Sequence, residues 1–100
     1  MFTDKRIAKM RVMQLIDSLN VGGAERMAVT YANALSHETD KSYLCVTRTE
    51  GPLQSQLASE VSYIFLDRKK RIDITAVKKC ITYLKKENID IIHVHGTSYF

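Results

Sequence analysis

The chain has 100 residues, of which 45% are hydrophobic and 26% charged, and its formal net charge is +4. A chain of this length buries roughly two-thirds of the surface that its unfolded form exposes, so it can hold one domain with a real core but not a two-lobed enzyme. The composition excludes a low-complexity chain. The basic clusters are "KRIAKMR" at 5–11, "RKKR" at 68–71 and the lysine pairs at 78–79 and 85–86. They lack the interleaved aromatic residues that binding of single-stranded nucleic acid requires. We therefore expect no nucleic-acid partner.

The N-terminal part of the chain predicts a basic segment, residues 1–9, followed by a buried strand. Met10 to Ile16 is an apolar run in which only Arg11 and Gln14 are polar, which indicates a strand covered on both faces, as in a parallel sheet. This run is too short for a signal-peptide core or a membrane span. A helix follows, with apolar residues at helical spacing: Ala24, Met27, Ala28, Tyr31, Ala32 and Leu35.

The middle of the chain predicts two more strands, "SYLCVT" at 42–47 and "VSYIFL" at 61–66. Gly51 and Pro52 mark a turn between them, and "LQSQLASE" is expected to form a short helix. These segments extend the alternation of strands and helices that begins at Met10.

The C-terminal part predicts a second long helix and a fourth strand. The helix follows the basic sequence "RKKR", with Asp73 as its N-cap and Asn88 as the residue at which it ends. The fourth strand is "IDIIHVH", residues 89–95. The expected apolar stripe of the helix is Ile74, Val77, Ile81 and Leu84.

The alternation of elements predicts an α/β fold over residues 10–100. We expect a Rossmann-like, three-layer α/β/α domain with a four-stranded parallel sheet in the order 3-2-1-4 and right-handed crossovers. This order places the carboxyl ends of strands one and four side by side where the winding reverses, and ligands bind in such a crevice. Because no helix follows strand four to cover it, we expect the domain to be truncated and the chain to be part of a longer protein.

The stretch "DSLNVGGAER" joins strand one to the first helix and contains Gly22 and Gly23. Bare backbone N–H groups at a helix N-terminus bind anions, and the helix dipole favours negative charge there. The two glycines are therefore candidates for phosphate contact. The alternative is that one supplies a positive-φ turn and the other lets the helix pack closely on the sheet. Asn20 lies in the same loop, and Glu25 can interact with the helix dipole or with substrate hydroxyls.

Two common nucleotide-binding motifs match poorly. The dinucleotide fingerprint needs G-x-G-x-x-G and an acidic residue about 20 positions further on, whereas this chain has "VGGAER" and Arg48 at the end of strand two. NAD is therefore not expected, and NADP stays open only as a third possibility, through Arg48. The absence of G-K-[ST] after the glycines excludes a Walker A loop.

The stretch "HVHGTS" ends the fourth strand, and the alternation of side chains places His93 and His95 on one face. His95 lies at the strand end beside the glycine loop, where a histidine can bond a hydroxyl, act as a base or ligate a metal. The alternative is a packing role, which we favour for His93. Two histidines without a third ligand are a poor metal site, so no metal and no other cofactor is predicted. His37 is expected in a surface loop on the opposite side of the sheet.

With these motifs the chain resembles the N-terminal part of a family 4 glycosyltransferase of the GT-B fold. The resemblance rests on "VMQLIDSLNVGGAERMAVTYANAL" and on "NIDIIHVHGT", which is similar to the family's "PDIVHAH" strand end. It covers nearly all of the chain after Lys9. The chain departs from the family in "SHETDKSYLCV", where the family usually has a glycine-histidine pair.

The resemblance implies a retaining hexosyltransferase-type enzyme that moves a sugar from a nucleotide-sugar donor to a glycan or lipid-linked acceptor in cell-surface polysaccharide synthesis, commonly without a metal. It implies that Gly22 and Gly23 approach the donor's diphosphate or the transferred sugar. It makes His95 the candidate catalytic residue. The acceptor-side cleft is then expected to comprise Asn20, Glu25, Gly96 and Thr97.

The resemblance also implies that the family's C-terminal nucleotide-sugar-binding domain, with its paired glutamates, is absent from this sequence. A clamp from one lobe leaves the leaving group mostly in water, so we expect the 100 residues alone to be inactive. The alternative from a different class is a non-catalytic Rossmann-like module that binds an anion or nucleotide, or docks another protein.

The cysteines and the basic clusters predict where in the cell the protein is found. Cys45 and Cys80 lack the spacing of a metal or redox motif, so both are interpreted as small buried residues in a reducing compartment, and the expected location is the cytoplasm. The basic loops predict in addition a peripheral contact with the anionic inner face of the membrane.

Overall fold

The structure is a computed structural model, and it describes residues 5–96. The helix expected in "LQSQLASE" is a 3₁₀ helix that begins at Pro52, and His37 belongs to the last turn of a helix rather than to a loop. A short helix lies within the predicted basic segment. The elements in chain order are α1 (Lys5–Ala8), β1 (Arg11–Ser18), α2 (Gly23–Glu38), β2 (Lys41–Thr49), the 3₁₀ helix (Pro52–Gln56), β3 (Ser62–Phe65), α3 (Ile74–Lys86) and β4 (Ile91–Val94).

The four strands form one parallel sheet in the order β3-β2-β1-β4, which confirms the predicted topology. β1 pairs with β2 along most of its length. On its other edge it pairs with β4, from Val12 opposite Ile91 to Leu15 opposite Val94. The carboxyl ends of β1 and β4 therefore lie side by side where the winding of the sheet reverses.

The two long helices cover opposite faces of this sheet, which confirms the three-layer α/β/α arrangement. Side chains alternate between the faces along each strand, so each strand contributes to both halves of the core. The core under α2 consists mainly of Ile16, Ala28, Val29, Ala32, Leu44 and Val46. The core under α3 consists mainly of Met13, Leu15, Tyr43, Cys45, Ala76 and Cys80.

The buried stripe of α2 differs from the predicted one. Val29 is buried, whereas Met27 is 49% exposed and Tyr31 is 38% exposed. The helix contacts the sheet through Ala28 and Ala32, whose small side chains allow a close approach. The larger Met27 and Tyr31 are left at the rim as a result.

The predicted stripe of α3 is wrong at two of its four residues, whereas Val77 and Leu84 are partly buried. Ile74 and Ile81 are 67% and 45% exposed, and the helix instead buries Ala76 and Cys80. Cys80 contacts Cys45 of β2, and the small side chains of Ala76 and Cys80 let the helix lie close to the sheet. Helical spacing alone did not identify this face.

Both ends of α3 agree with the sequence analysis. The Asp73 carboxylate accepts from the Ala76 N–H at 3.1 Å, as an N-cap does, and Asn88 has a φ of 54°, the left-handed conformation expected after the helix. Next to Asn88, Glu87 accepts from the Tyr43 hydroxyl at 2.8 Å and from Lys41 Nζ at 3.3 Å. The Tyr43 bond, with help from Lys41, lowers the pKa of Glu87. These bonds attach the end of α3 to β2.

β4 is the least covered strand: Ile91, Ile92 and Val94 are each more than 40% exposed. Cys45 and Cys80 are free thiols buried side by side under α3, in accord with their interpretation as small core residues. Within residues 5–96, we find no helix with both the length and the apolar character needed to cross a membrane.

Asp17, near the end of β1, joins the carboxyl ends of three strands. The β1–β2 register shifts by one residue between Ile16 and Ser18, so that Thr47 and Arg48 together lie opposite Asp17. The Asp17 carboxylate accepts from Thr47 Oγ1 at 2.6 Å, from Arg48 Nη2 at 2.9 Å, and from Arg68 Nη2 at 2.8 Å. Arg68 is buried beyond the end of β3, so the free-energy cost of burying its charge is offset by its pairing with this carboxylate.

The Asp17 bonds shift its pKa. Burial alone would raise the pKa of Asp17, but the bonds from Thr47 and Arg68 and the charges of Arg48 and Arg68 outweigh it and lower the pKa below its ordinary 3.8. The stabilising contribution is therefore complete above about pH 4, where the unfolded carboxyl is ionised. It is lost as the pH falls through the lower pKa of the folded state.

We predict that Asp17→Asn lowers the free energy of unfolding at pH 7 by about 2 kcal/mol or more, because it leaves the buried Arg68 without its anionic partner. Urea denaturation of both proteins measures this difference, which should shrink as the pH is lowered from 7 to 3. Asp40→Asn is the matched control, since Asp40 makes an exposed pair with Arg11 at 3.5 Å. Equal effects of the two substitutions would contradict the role given to Asp17.

Candidate functional site

The glycine turn at the start of α2 has neither of the two structural roles considered as alternatives. Gly22 is the N-cap and has extended backbone, with φ of −174°, so it does not supply a positive-φ turn. Gly23 is the first helical residue, and a Cβ added there would meet nothing within 4 Å, so it is not needed for close packing. The N-terminus of α2 is instead left open beside Gly23, where bare N–H groups can donate hydrogen bonds to an oxygen atom of a ligand.

Glu25 occupies the other side of this helix start. Its carboxylate lies against Gly22, where an added Cβ would overlap it, and it accepts from the Ser18 hydroxyl at 3.3 Å. The Asn20 N–H in turn donates to Ser18 Oγ at 3.4 Å. A carboxylate at this position interacts favourably with the helix dipole. A phosphate approaching Gly22 would have to displace it, whereas a hydroxyl group can donate to it.

Gly51 fixes the loop that leads to the glycine turn. A Cβ at Gly51 would overlap the Leu19 carbonyl and the Asn20 nitrogen, so the two backbones pack directly against each other. Leu19 also donates to the Thr49 carbonyl at 3.2 Å and accepts from the Leu53 N–H at 3.1 Å. The sequence analysis identified Gly51 only as a turn residue, because this close approach joins segments 30 residues apart.

His93 and His95 lie together beside the end of β1. The His95 N–H donates to the Leu15 carbonyl at 2.9 Å, which continues the β1–β4 pairing past Val94. The two imidazole centroids are 4.1 Å apart, and the Tyr31 ring lies 5.4 Å from His93 and 5.9 Å from His95. His95 Nε2 is 2.6 Å from Gln14 Oε1. His95 is therefore held from three sides.

Burial, reinforced by the neighbouring His93, lowers the pKa of His95 below its ordinary 6.5. At neutral pH the ring is thus uncharged and acts through hydrogen bonds rather than as a cation. Within residues 5–96, no three His, Cys, Asp or Glu side chains are grouped so that they could hold a metal ion.

The structure brings the candidate residues to one edge of the sheet in two groups. Gly22, Gly23, Asn20 and Glu25 lie just past the end of β1, at the start of α2. His95 and Gly96 lie just past the end of the neighbouring β4, and Gly96 has a φ of 121°, which favours glycine. Thr97 lies outside the described residues.

Gln14 and Tyr31 contact His95 but were not among the candidates. Gln14 carried a signal, since it is a polar residue inside an otherwise apolar run that predicts a buried strand. Tyr31 carried none, because its spacing placed it in the apolar stripe of α2.

Arg48, considered for the 2′-phosphate of NADP, is already engaged. Its guanidinium lies 2.9 Å from Asp17, so a phosphate there would compete with a carboxylate. This observation weakens the NADP alternative.

These features define a class of protein: a Rossmann-like domain with an open helix N-terminus and a strand-end histidine at the point where the winding reverses. The sequence matches the model for Glycosyltransferase Family 4 over residues 21–100. It is also 31% identical, over 86 residues, to a capsular polysaccharide biosynthesis glycosyltransferase, CapH, of Staphylococcus aureus. That alignment covers 85% of this chain and 23% of the relative, so the chain spans about a quarter of the relative's length. No solved structure gives a significant match.

The chain belongs to glycosyltransferase family 4. The match includes the glycine turn, α2 and the strand-end histidines, which are the elements that form the candidate site.

We predict opposite effects of adding a methyl group at two glycines. Gly51→Ala should lower the free energy of unfolding by about 2 kcal/mol, because its Cβ meets backbone atoms that cannot rotate away. Gly23→Ala should leave stability unchanged or raise it by up to about 1 kcal/mol, because its Cβ enters open space at a helical position. Thermal or urea denaturation followed by circular dichroism measures both. Equal destabilisation by the two variants would contradict the geometry of the turn.

Proposed function

We propose that this chain forms the acceptor-side part of a retaining, hexosyltransferase-type glycosyltransferase. The enzyme moves a sugar from a nucleotide-sugar donor to a glycan or lipid-linked acceptor in the synthesis of a cell-surface polysaccharide. Family membership and the similarity to a capsular polysaccharide glycosyltransferase support this proposal. The observation that carries it furthest is the open start of α2 at Gly23, on the same sheet edge as His95.

The polar groups at this edge suit a neutral sugar. The Glu25 carboxylate accepts hydrogen bonds from hydroxyl groups, the bare N–H groups beside Gly23 donate to oxygen atoms, and the uncharged His95 can bond one further hydroxyl. Asn20 and Gly96 border the same groups. Oriented contacts of this kind hold an acceptor hydroxyl near the donor sugar, which contributes through positioning rather than through charge.

Sugar transfer also needs stabilisation of the departing nucleotide diphosphate. Arg48 and Arg68 lie near the end of β1, and both are engaged in ion pairs with the Asp17 carboxylate. Electrostatic stabilisation in an active site depends on donors fixed around the developing charge. We therefore expect the 100-residue chain to bind sugar ligands weakly and to show no turnover by itself.

We further propose that the protein works at the inner, cytoplasmic face of the membrane through a basic-apolar patch: Lys69, Lys70, Arg71, Ile72 and Ile74. Ile72 and Ile74 are 70% and 67% exposed, which is unusual for isoleucine, and three cations flank them. A cavity of about 580 Å³ opens among these side chains. The patch follows β3, so it lies at the same sheet edge as the glycine turn. Exposed apolar residues next to cations suit an anionic lipid surface.

We predict that the product of the complete reading frame releases nucleotide from a sugar donor when acceptor is present, whereas the 100-residue chain does not. His95→Ala in the active form should lower kcat/KM about tenfold to a hundredfold, which corresponds to one lost hydrogen bond to substrate. A coupled nucleotide-release assay over a panel of sugar donors measures both effects.

His37→Ala is the matched control for this assay, because His37 is exposed at the far end of α2. It should leave kcat/KM within about twofold of the wild type. If no sugar nucleotide is turned over or bound by the complete product, the transferase proposal fails, and a non-catalytic binding module becomes the better account.

We predict that the chain binds vesicles of phosphatidylglycerol and phosphatidylcholine, and not vesicles of phosphatidylcholine alone. Replacing both Lys69 and Lys70 by serine should weaken binding about tenfold or more, since each cation contributes on the order of 1 kcal/mol. Ile72→Ser should also weaken it. Ile81→Ser, at another exposed isoleucine, is the control and should not. Vesicle sedimentation measures the partitioning, and binding that is insensitive to salt would contradict the proposal.

A further inference from the structure

Gln14 is a fully buried amide in the middle of β1, on the face covered by α2. Val12 and Ile16 precede and follow it on the same face, so it interrupts an apolar row. Burying an amide costs free energy unless the group is hydrogen-bonded. The bond that Gln14 makes is to His95, at 2.6 Å between Oε1 and Nε2.

This bond determines where the ring proton of His95 resides. A carbonyl oxygen only accepts hydrogen bonds, so an imidazole nitrogen 2.6 Å from Gln14 Oε1 must carry the proton. In a neutral imidazole the other nitrogen then has a free lone pair. His95 is consequently protonated at Nε2, and its Nδ1 can accept a hydrogen bond.

The remaining neighbours of His95 restrain the ring without changing this assignment. The ring of His93, on the same strand, lies 4.1 Å away at a tilt of 40°, and the Tyr31 ring approaches from α2. Neither is a carboxylate, and Gln14 is the group that faces His95 from β1. Burial and the neighbouring His93 both lower the pKa of His95.

We infer that Gln14 is a positioning residue: it fixes His95 as the Nε2-protonated tautomer, so that Nδ1 accepts a hydrogen bond from a hydroxyl of the sugar substrate. The identity of the ligand rests on the proposed function, whereas the tautomer does not. Gln14 Nε2 is buried without a protein partner among the described residues. The reverse orientation of the amide would direct an N–H at His95 and force the opposite tautomer, which makes the tautomer a direct test.

The test is long-range ¹H–¹⁵N NMR of the ligand-free 100-residue chain at a pH above the His95 titration. His37→Gln and His93→Gln variants assign the three histidines. We expect His95 to show a protonated Nε2 whose hydrogen exchanges slowly, and an unprotonated Nδ1. A protonated Nδ1 in the wild type would overturn the inference.

Two variants at Gln14 test the cause. Gln14→Met keeps the size of the side chain but removes the acceptor, so the Nε2 hydrogen should exchange fast, with the His37 signals as an internal reference. Gln14→Glu keeps an acceptor and adds a charge, so His95 should stay protonated at Nε2 and its titration midpoint should rise by about one pH unit or more. Unchanged exchange in folded Gln14→Met, or an unchanged midpoint in Gln14→Glu, would overturn the inference.

The same Gln14→Met substitution in the active form should lower kcat/KM about tenfold, and Gln14→Glu should recover part of the activity at a pH above the raised midpoint. The NMR result and the assay separate two failures. If the tautomer is as inferred but no sugar is transferred, the proposed function fails and the positioning stands. If transfer occurs but His95 is protonated at Nδ1, the positioning fails and the function stands.

Discussion

The arrangement of this protein depends on β1 being hydrogen-bonded on both edges. Because β2 and β4 satisfy its backbone groups on the two sides, β1 lies at the centre of the sheet, and both of its faces are covered. At its carboxyl end, the loop that follows β1 therefore lies beside the residues that follow β4, at the point where the winding of the sheet reverses. The glycine turn continues from β1 itself, and His95 continues from β4. The position of the candidate site is thus determined by the order of the strands rather than by any particular side chain.

Polar side chains connect the loops at this edge of the sheet, beyond the apolar core. Asp17 connects β1 to Thr47 and Arg48 of β2 and to Arg68 beyond β3, while Gly51 presses the next connection against the loop at Leu19. Such groups stabilise only if every partner is present, because an unpaired buried charge is costly. Directional bonds thus connect the loops at this edge to one another. Such connections favour a fixed arrangement of side chains, which a site that works by positioning would use.

Much of the fold could be predicted from the sequence because it follows from local patterns and from one topological rule. Alternating strands and helices with right-handed crossovers led to the order β3-β2-β1-β4, and Asp73 and Asn88 were recognisable as helix ends. The buried face of α3 could not be fully predicted, because the helix packs on the sheet through the small residues Ala76 and Cys80, which a search for large apolar residues at helical spacing passes over. The partners of Asp17 depend on a register shift that leaves no mark in the sequence. The family resemblance was carried by the turn and the strand end, which are short and local.

The charges at the candidate site bear on which groups of a ligand it can bind. At this edge of the sheet, Glu25 and Asp17 are negative, His95 is neutral, and Arg48 and Arg68 both pair with Asp17, so these five groups together carry no net charge. The excess positive charge of the chain lies elsewhere, mainly in the four lysines of α3 and in the basic residues of the loop after β3. A site without net positive charge suits hydroxyl groups and gives little stabilisation to a diphosphate. Under the proposed function, we expect these groups to orient the sugars and to contribute little to stabilising the leaving nucleotide.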